Sequence, residues 1–241
     1  MRSNDSRDNI LKEACELVKQ AARGRRRTIS VSPEVAEMLD RIEAVEPVAV
    51  AELEALEKAV SICTKCPLSE TRTQTVFGGG YLQANLVFVG EAPGYHEDIQ
   101  GVPFVGRAGE LLTNIIEKGM KLTRSEVYIC NVLKCRPPDN RDPLPAEVAM
   151  CEPYLVRQLE LIKPRVICAL GAHAARTLLK CNAPLGKLRN KWHFYHGIPL
   201  RATYHPAYLL RNERDKGKAW KDVLEVVKVY KGEFTPTPDH G

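Results

Sequence analysis

The chain has 241 residues, enough to bury one sizeable α/β core and a small appendage. Apolar residues make up 44% and charged residues 27%, as in a globular protein, and the longest apolar runs, Leu86–Val89 and Val166–Leu170, are strand-sized and too short to cross a bilayer. The net charge of +5 is uneven: residues 1–60 carry −2 and the remainder +7, a basic excess that suits a polyanionic partner such as nucleic acid and equally suits a solvated surface.

The N-terminal MRSNDSRDN holds no apolar stretch, so no signal peptide is expected and a cytoplasmic location follows. Residues 1–60 read as a helical extension. Ile10, Leu11, Ala14, Leu17 and Val18 fall at helical spacing between Asn9 and Gln20. The basic Arg23-Gly-Arg-Arg-Arg27 reads as a linker, Ser32-Pro33 as a helix start, and Ala49–Ile62 as a second helix that delivers the chain to Cys63.

From residue 61 strand and helix signals alternate. Leu86–Gly90 reads as a strand, followed by a helix over Arg107–Gly119 closed by its glycine. A second strand is expected at Val127–Val132 and a helix at Pro145–Ile162, with proline in its first turn. Val166–Leu170 is a third strand before a helix at Ala172–Lys180, Leu200–Tyr204 a fourth before a helix at Asp215–Tyr230, and residues 231–241 read as a disordered tail. This rhythm predicts a three-layer α/β/α domain over residues 61–230, with a central four-stranded, mostly parallel sheet covered on both faces.

In such sheets ligands bind beyond the carboxyl ends of the strands. The segments there are Gly90-Glu-Ala-Pro-Gly94, Asn131-Val-Leu-Lys-Cys135, Gly171-Ala-His173 and His205-Pro-Ala-Tyr-Leu-Leu-Arg211. Cys63-Thr-Lys-Cys66 is a CxxC, and Cys135 and Cys151 complete a set of four thiols. These suit a structural zinc or an iron–sulfur cluster equally well on chemistry alone. Cys15, Cys130, Cys168 and Cys181 read as small apolar residues. Without a signal peptide, eight cysteines argue against a disulfide framework. A dinucleotide fold lacks support, because Gly78-Gly-Gly80 precedes the strand and no G-x-G-x-x-G is present.

GEAPG, then GVPFVGRAG, NVLKCRPP and HPAYLLRN, each in its place relative to the strands, together resemble the type-4 (iron–sulfur) uracil-DNA glycosylases, from about Cys63 to about Lys228. The resemblance implies a monofunctional glycosylase that hydrolyses the N-glycosidic bond of uracil in DNA for base excision repair. It also implies a [4Fe–4S] cluster on Cys63, Cys66, Cys135 and Cys151. Uracil-containing DNA is then the partner, with no membrane, and a monomer is expected.

A glycosylase must flip its base out of the stack and read its Watson–Crick edge. Asn131 offers the amide that matches uracil O4 and N3–H, and Phe104 a ring to stack on the base. His205 resembles the family's active-site histidine, donating to O2 as charge develops there. Gly90, Glu91, Ala92 and Gly94 would line the uracil, with Glu91 in the position of the family's acid. Leu209, Leu210 and Arg211 resemble the tip that enters the minor groove.

Three departures stand out. Ala92 occupies the place where other branches hold a water-orienting Asp, which leaves Glu97 or Asp98 as candidates. Gly94 replaces a bulky wall against thymine, leaving Tyr95 or Glu91 to reject it. Residues 136–150 lack the histidine of a DNA-trapping branch. An iron–sulfur redox protein leaves Asn131, Phe104 and His205 unexplained. A non-catalytic iron–sulfur DNA-damage-binding protein is the alternative that Ala92 favours.

Overall fold

A computed structural model describes residues 47–237. The expected helix over Asn9–Gln20, the basic stretch, the Ser32-Pro33 start, Cys15 and the end of the tail lie outside the described residues. From Ala49 onward the chain forms one compact unit. No helix among the described residues is long and apolar enough to cross a membrane.

Helix α1 (Pro47–Ser61) is rich in Ala, Glu and Leu, with Lys58 in its last turn to complement the helix dipole. It buries Leu53 and Val60 against Phe77 and leads directly to Cys63, whose N–H bonds to the Val60 carbonyl.

The sheet follows the order β1-β3-β2-β4-β6-β5. Its parallel centre is β3 (Tyr128–Asn131), β2 (Leu86–Gly90), β4 (Val166–Leu170) and β6 (Ile198–Thr203). These four are the expected strands, within two residues at their ends. The sheet has six strands and not four, because antiparallel edges are added by β1 (Gly79–Gly80) and β5 (His193–Tyr195). Two glycines and a three-residue run carry too few side chains to show a period. β5 turns into β6 through His196 (φ 48°) and Gly197 (φ 79°), a two-residue hairpin with both central residues left-handed.

Both faces of the inner strands are apolar, which gives three layers. Val87, Val89, Cys130, Ile167 and Ala169 face Leu155, Leu159 and Ile162 of α2 (Pro145–Ile162) and Leu178 of α3 (Ala172–Leu179). Leu86, Phe88, Ile129 and Cys168 face Leu112, Ile116 and the valines of α4 (Lys216–Tyr230). Cys130 and Cys168 are thus core residues, as the sequence suggests.

The helix expected over Arg107–Gly119 is α-helical to Asn114 and continues as a π-turn over Ile115–Met120. Gly119 does not close it; Lys121 does, at φ 60°. Gly119 is there for packing: a Cβ would come 2.6 Å from the Trp220 ring on α4. Residues 231–234, read as tail, cap α4 through three backbone hydrogen bonds, from the N–H groups of Lys231, Gly232 and Glu233, and set the Phe234 ring 6.1 Å from that of Trp192.

Candidate functional site

The carboxyl ends of β2, β3 and β6 meet at one cleft of about 510 Å³. In register, Gly90 at the end of β2 stands beside Asn131 at the end of β3. A Cβ at Gly90 would lie 2.2 Å from Asn131 Oδ1 and 2.7 Å from the Phe104 ring, so hydrogen is the only side chain that lets both groups close on the same spot.

Phe104 is held against this pair in a left-handed conformation, φ 54°. Gly109 makes that possible, because a Cβ there would overlap the Phe104 carbonyl. Such strain in a bulky residue persists only where its surroundings fix it, and it marks functional sites. The Phe104 ring is 5.6 Å from that of His205, tilted by 34°.

His205 follows β6, and its Nδ1 accepts the Ala207 N–H at 3.1 Å. In the neutral ring the proton is therefore on Nε2, which is free to donate. Burial holds the His205 pKa down at about 4; the nearby Arg211 cation lowers it further and Glu97 opposes. The ring is consequently neutral at pH 7.

Asn131 is 2% exposed, and its Oδ1 has no hydrogen-bond partner. Three other buried side-chain atoms among the described residues share that status, on Arg201, Asp215 and Asp222, but those groups take part in ion pairs. A buried acceptor left empty is costly, and this one faces a cleft.

Glu91, Ala92, Gly94, Glu97, Phe104, Asn131, His205 and Arg211 line the cleft together. Gly90 lies beneath it. Glu97 Oε1 accepts the N–H groups of Val105 (3.1 Å) and Gly106 (3.4 Å), which ties the Phe104 loop to the cleft wall. Asp98 is turned away, with both oxygens held by the Thr73 N–H. Tyr95 is exposed beneath the Arg136 guanidinium and is not part of the lining, so it cannot serve as the wall against thymine.

Leu209 corrects the expected wedge. It is 1% exposed, because the one-turn helix Pro206–Arg211 turns it inward, and it cannot enter a groove without leaving the core. The outward side chains of that tip are the half-buried Leu210 and the exposed Arg211.

The opposite rim, Pro137 and Asn140 to Asp142, was not anticipated. Asp139 and Asn140 are both left-handed (φ 53°), and Arg141 clasps Glu147 at the start of α2. An irregular loop of this kind shows no period in the sequence. His173, at the start of α3, stands between two acids, 4.0 Å from Glu91 and 3.5 Å from Asp142. Burial raises the Glu91 pKa; His173 opposes this and Asp142 adds to it.

Behind the cleft the four expected thiols converge. Cys63, Cys66, Cys135 and Cys151 line one pocket, with Lys134, Arg72 and Tyr154. The Arg72 guanidinium donates to Cys135 Sγ at 3.2 Å, and the Lys134 N–H to Cys151 Sγ at 3.3 Å. Burial pushes the Cys151 thiol up to about 11, partly offset by Lys134. Four thiols surrounded by donors and three cationic residues, Lys65, Arg72 and Lys134, fit a group that carries thiolate charge. Ala92 packs against this module, so its small side chain separates the cleft from the cysteines.

A family model described as the uracil DNA glycosylase superfamily matches residues 77–225. A type-4 uracil-DNA glycosylase of Thermotoga maritima is 47% identical over 167 residues, covering 68% of this chain and 86% of the relative. Another, of Saccharolobus solfataricus, is 45% identical over 168 residues, 66% of this chain and 78% of its own. A type-5 uracil-DNA glycosylase of Pyrobaculum aerophilum is 33% identical over 151 residues, 54% of this chain and 64% of the relative.

Proposed function

Because the chain belongs to the uracil DNA glycosylase superfamily, we propose that it hydrolyses the N-glycosidic bond of uracil in DNA and leaves an abasic site for base excision repair. The observation that carries this reading is the unsatisfied Oδ1 of Asn131, buried beside Phe104 and His205. A flipped uracil stacked on Phe104 would give that oxygen its N3–H and take the Asn131 amide N–H at O4.

Cleavage leaves negative charge on the base, shared with O2. His205 donates its Nε2–H to that oxygen as an imidazole locked in one tautomer, so no proton need be acquired first. The N–H groups of Glu91 and Ala92 add donors at the same edge. Glu91 and Glu97 hold the attacking water that Ala92 cannot. An Asp at position 92 would set a carboxylate against the thiolate centre, which gives a physical reason for alanine there. Leu210 and Arg211 fill the vacated stack. All these residues come from one chain, so a monomer suffices.

Cys63, Cys66, Cys135 and Cys151 would hold a [4Fe–4S] cluster, whose contribution is structural: it would join the end of α1 to the loop after β3 and to α2 itself, which carries Cys151.

The test is an end-labelled oligonucleotide with a single uracil, incubated with protein purified under low oxygen and then heated in alkali. Strand scission at the uracil and none at thymine is expected. No scission by iron-loaded protein would leave a damage-binding protein instead.

The state of His205 gives a second prediction. A histidine NMR titration should show its ring neutral through the region near 6.5 where an ordinary histidine titrates, protonating only near pH 4. Replacing Arg211 by Gln removes a cation and should raise that midpoint. Since the unfolded chain takes the proton first, the stability His205 contributes is full above about 6.5 and lost as pH falls towards 4. Titration of His205 near 6.5 in the folded protein would contradict the neutral-donor role.

A further inference from the structure

The chemistry above leaves one apolar face beside the cleft unused. Tyr95, Ile99 and Val102 stand in one short stretch and are 55%, 47% and 46% exposed. Tyr95 and Ile99 lie one turn apart on the short helix Tyr95–Gln100, so they share a face. Asp98 fixes the orientation of that helix: it is buried, with both oxygens on the Thr73 N–H. Gln74 adds a hydrogen bond to the Ile99 carbonyl. The chain enters this stretch from Gly94 and leaves it for Phe104, both in the cleft lining. The exposed face is therefore continuous with the cleft mouth, and clustered apolar surface in such a place marks an interaction site.

A cation completes the face. The Arg136 guanidinium lies over the Tyr95 ring, 5.2 Å from its centroid, and the His96 ring meets Tyr95 edge-on at 5.5 Å. Arg136 is held in turn by donating its Nε–H to Asn140 Oδ1, at 2.7 Å, on the opposite rim. That partner is neutral, and among the described residues no ion pair uses Arg136, so its charge is left for a polyanion. Exposed aromatic rings beside cations are how single-stranded nucleic acids are gripped: bases stack on the rings while the cations follow the backbone. In a duplex, the base next to a flipped uracil is held by its complement within the helical stack. In a single strand it is free to swing onto the rim.

We propose that Tyr95, backed by Arg136, is a stacking platform for the unpaired base adjacent to the flipped uracil, which gives the protein a grip on single-stranded DNA that it lacks on duplex. This rests on the glycosylase reading, whose substrate it narrows.

The test measures binding by fluorescence anisotropy for full-length wild type, Tyr95→Ala and Tyr95→Phe. Each probe carries one cleavage-resistant 2′-fluorinated deoxyuridine. The probes are the single strand, its duplex, and single strands in which an abasic spacer replaces the base on the 5′ or the 3′ side of the uridine. Tyr95→Ala should weaken single-strand binding roughly 10-fold, the loss of one base–aromatic stack, and duplex binding by less than about 2-fold. Tyr95→Phe keeps the ring and should bind as wild type does. With the spacer on one of the two sides, wild type should suffer that same loss and Tyr95→Ala no further one.

No loss on the single strand, equal losses on single strand and duplex, or an undiminished effect of Tyr95→Ala with both spacers would overturn the proposal. The ring is exposed, and matching circular dichroism melts exclude misfolding as the cause of a loss. Wild type that excises no uracil from either form of DNA would overturn the underlying reading. Wild type that excises uracil while Tyr95→Ala binds the single strand unchanged would sink the platform alone.

Discussion

Asn131→Asp will lower uracil excision by roughly 10³-fold in kcat/KM, about 4 kcal/mol of transition-state stabilisation. The substitution keeps the shape of the side chain and reverses its polarity at one atom. Where the amide Nδ2–H meets uracil O4, the carboxylate presents a second acceptor. At 2% exposure no water can mediate that clash, and two facing acceptors in a desolvated site repel. Protonating the acid restores a donor only at the cost of taking up a proton. Cytosine offers an amino donor where uracil has O4, so the same variant should gain activity on cytosine. Single-turnover assays on labelled oligonucleotides measure both; unchanged uracil excision would remove Asn131 as the reader.

The second large effect is expected at a residue that contacts no base. Gly90→Ala places a methyl 2.2 Å from Asn131 Oδ1 and 2.7 Å from the Phe104 ring. The backbone there is strand, paired with β3 at Asn131 and, one residue earlier at Val89, with β4, which leaves it little room to yield. The reader and the stacking ring must therefore move. A displacement of about 1 Å costs on the order of 10²-fold in rate, and moving two groups at once should take the loss towards 10³-fold. Overpacking should cost only about 1–3 kcal/mol of stability. Circular dichroism melts and excision rates on one preparation separate the two, and near-wild-type excision would show that the cleft is not closed by this contact.

The inner strands were readable because each is a continuous apolar run, as strands covered on both faces must be. Strand ends then located Gly90, Asn131 and His205 before any contact was known, since ligands in open α/β sheets gather there. The thiol set was equally legible from spacing. What escaped has physical reasons. Leu209 and Leu210 are indistinguishable as letters, and only the helical turn sends one inward. The rim from Pro137 to Asp142 is shaped by left-handed residues that follow no period. Gly119 looks like a helix stop because its role, admitting Trp220, is tertiary. Lys134 reads as a solvated lysine, and its burial becomes intelligible only with the Asn131 carbonyl and Gln158 that hold its ammonium.

The two short edge strands carry a consequence for solubility. The parallel centre contains runs such as Val166-Ile-Cys-Ala-Leu170: uncharged, β-prone and able to template further strands if its sides were open. β1 covers one flank with two glycines and β5 covers the other with a tight hairpin, so no long apolar edge faces another molecule. Both covers are attached by few backbone hydrogen bonds, and one lies close in sequence to the cysteine pair at Cys63 and Cys66. Were the proposed cluster on these cysteines lost, unfolding from that end would uncover the β3 flank, and self-association through that flank would then accompany the loss of catalysis.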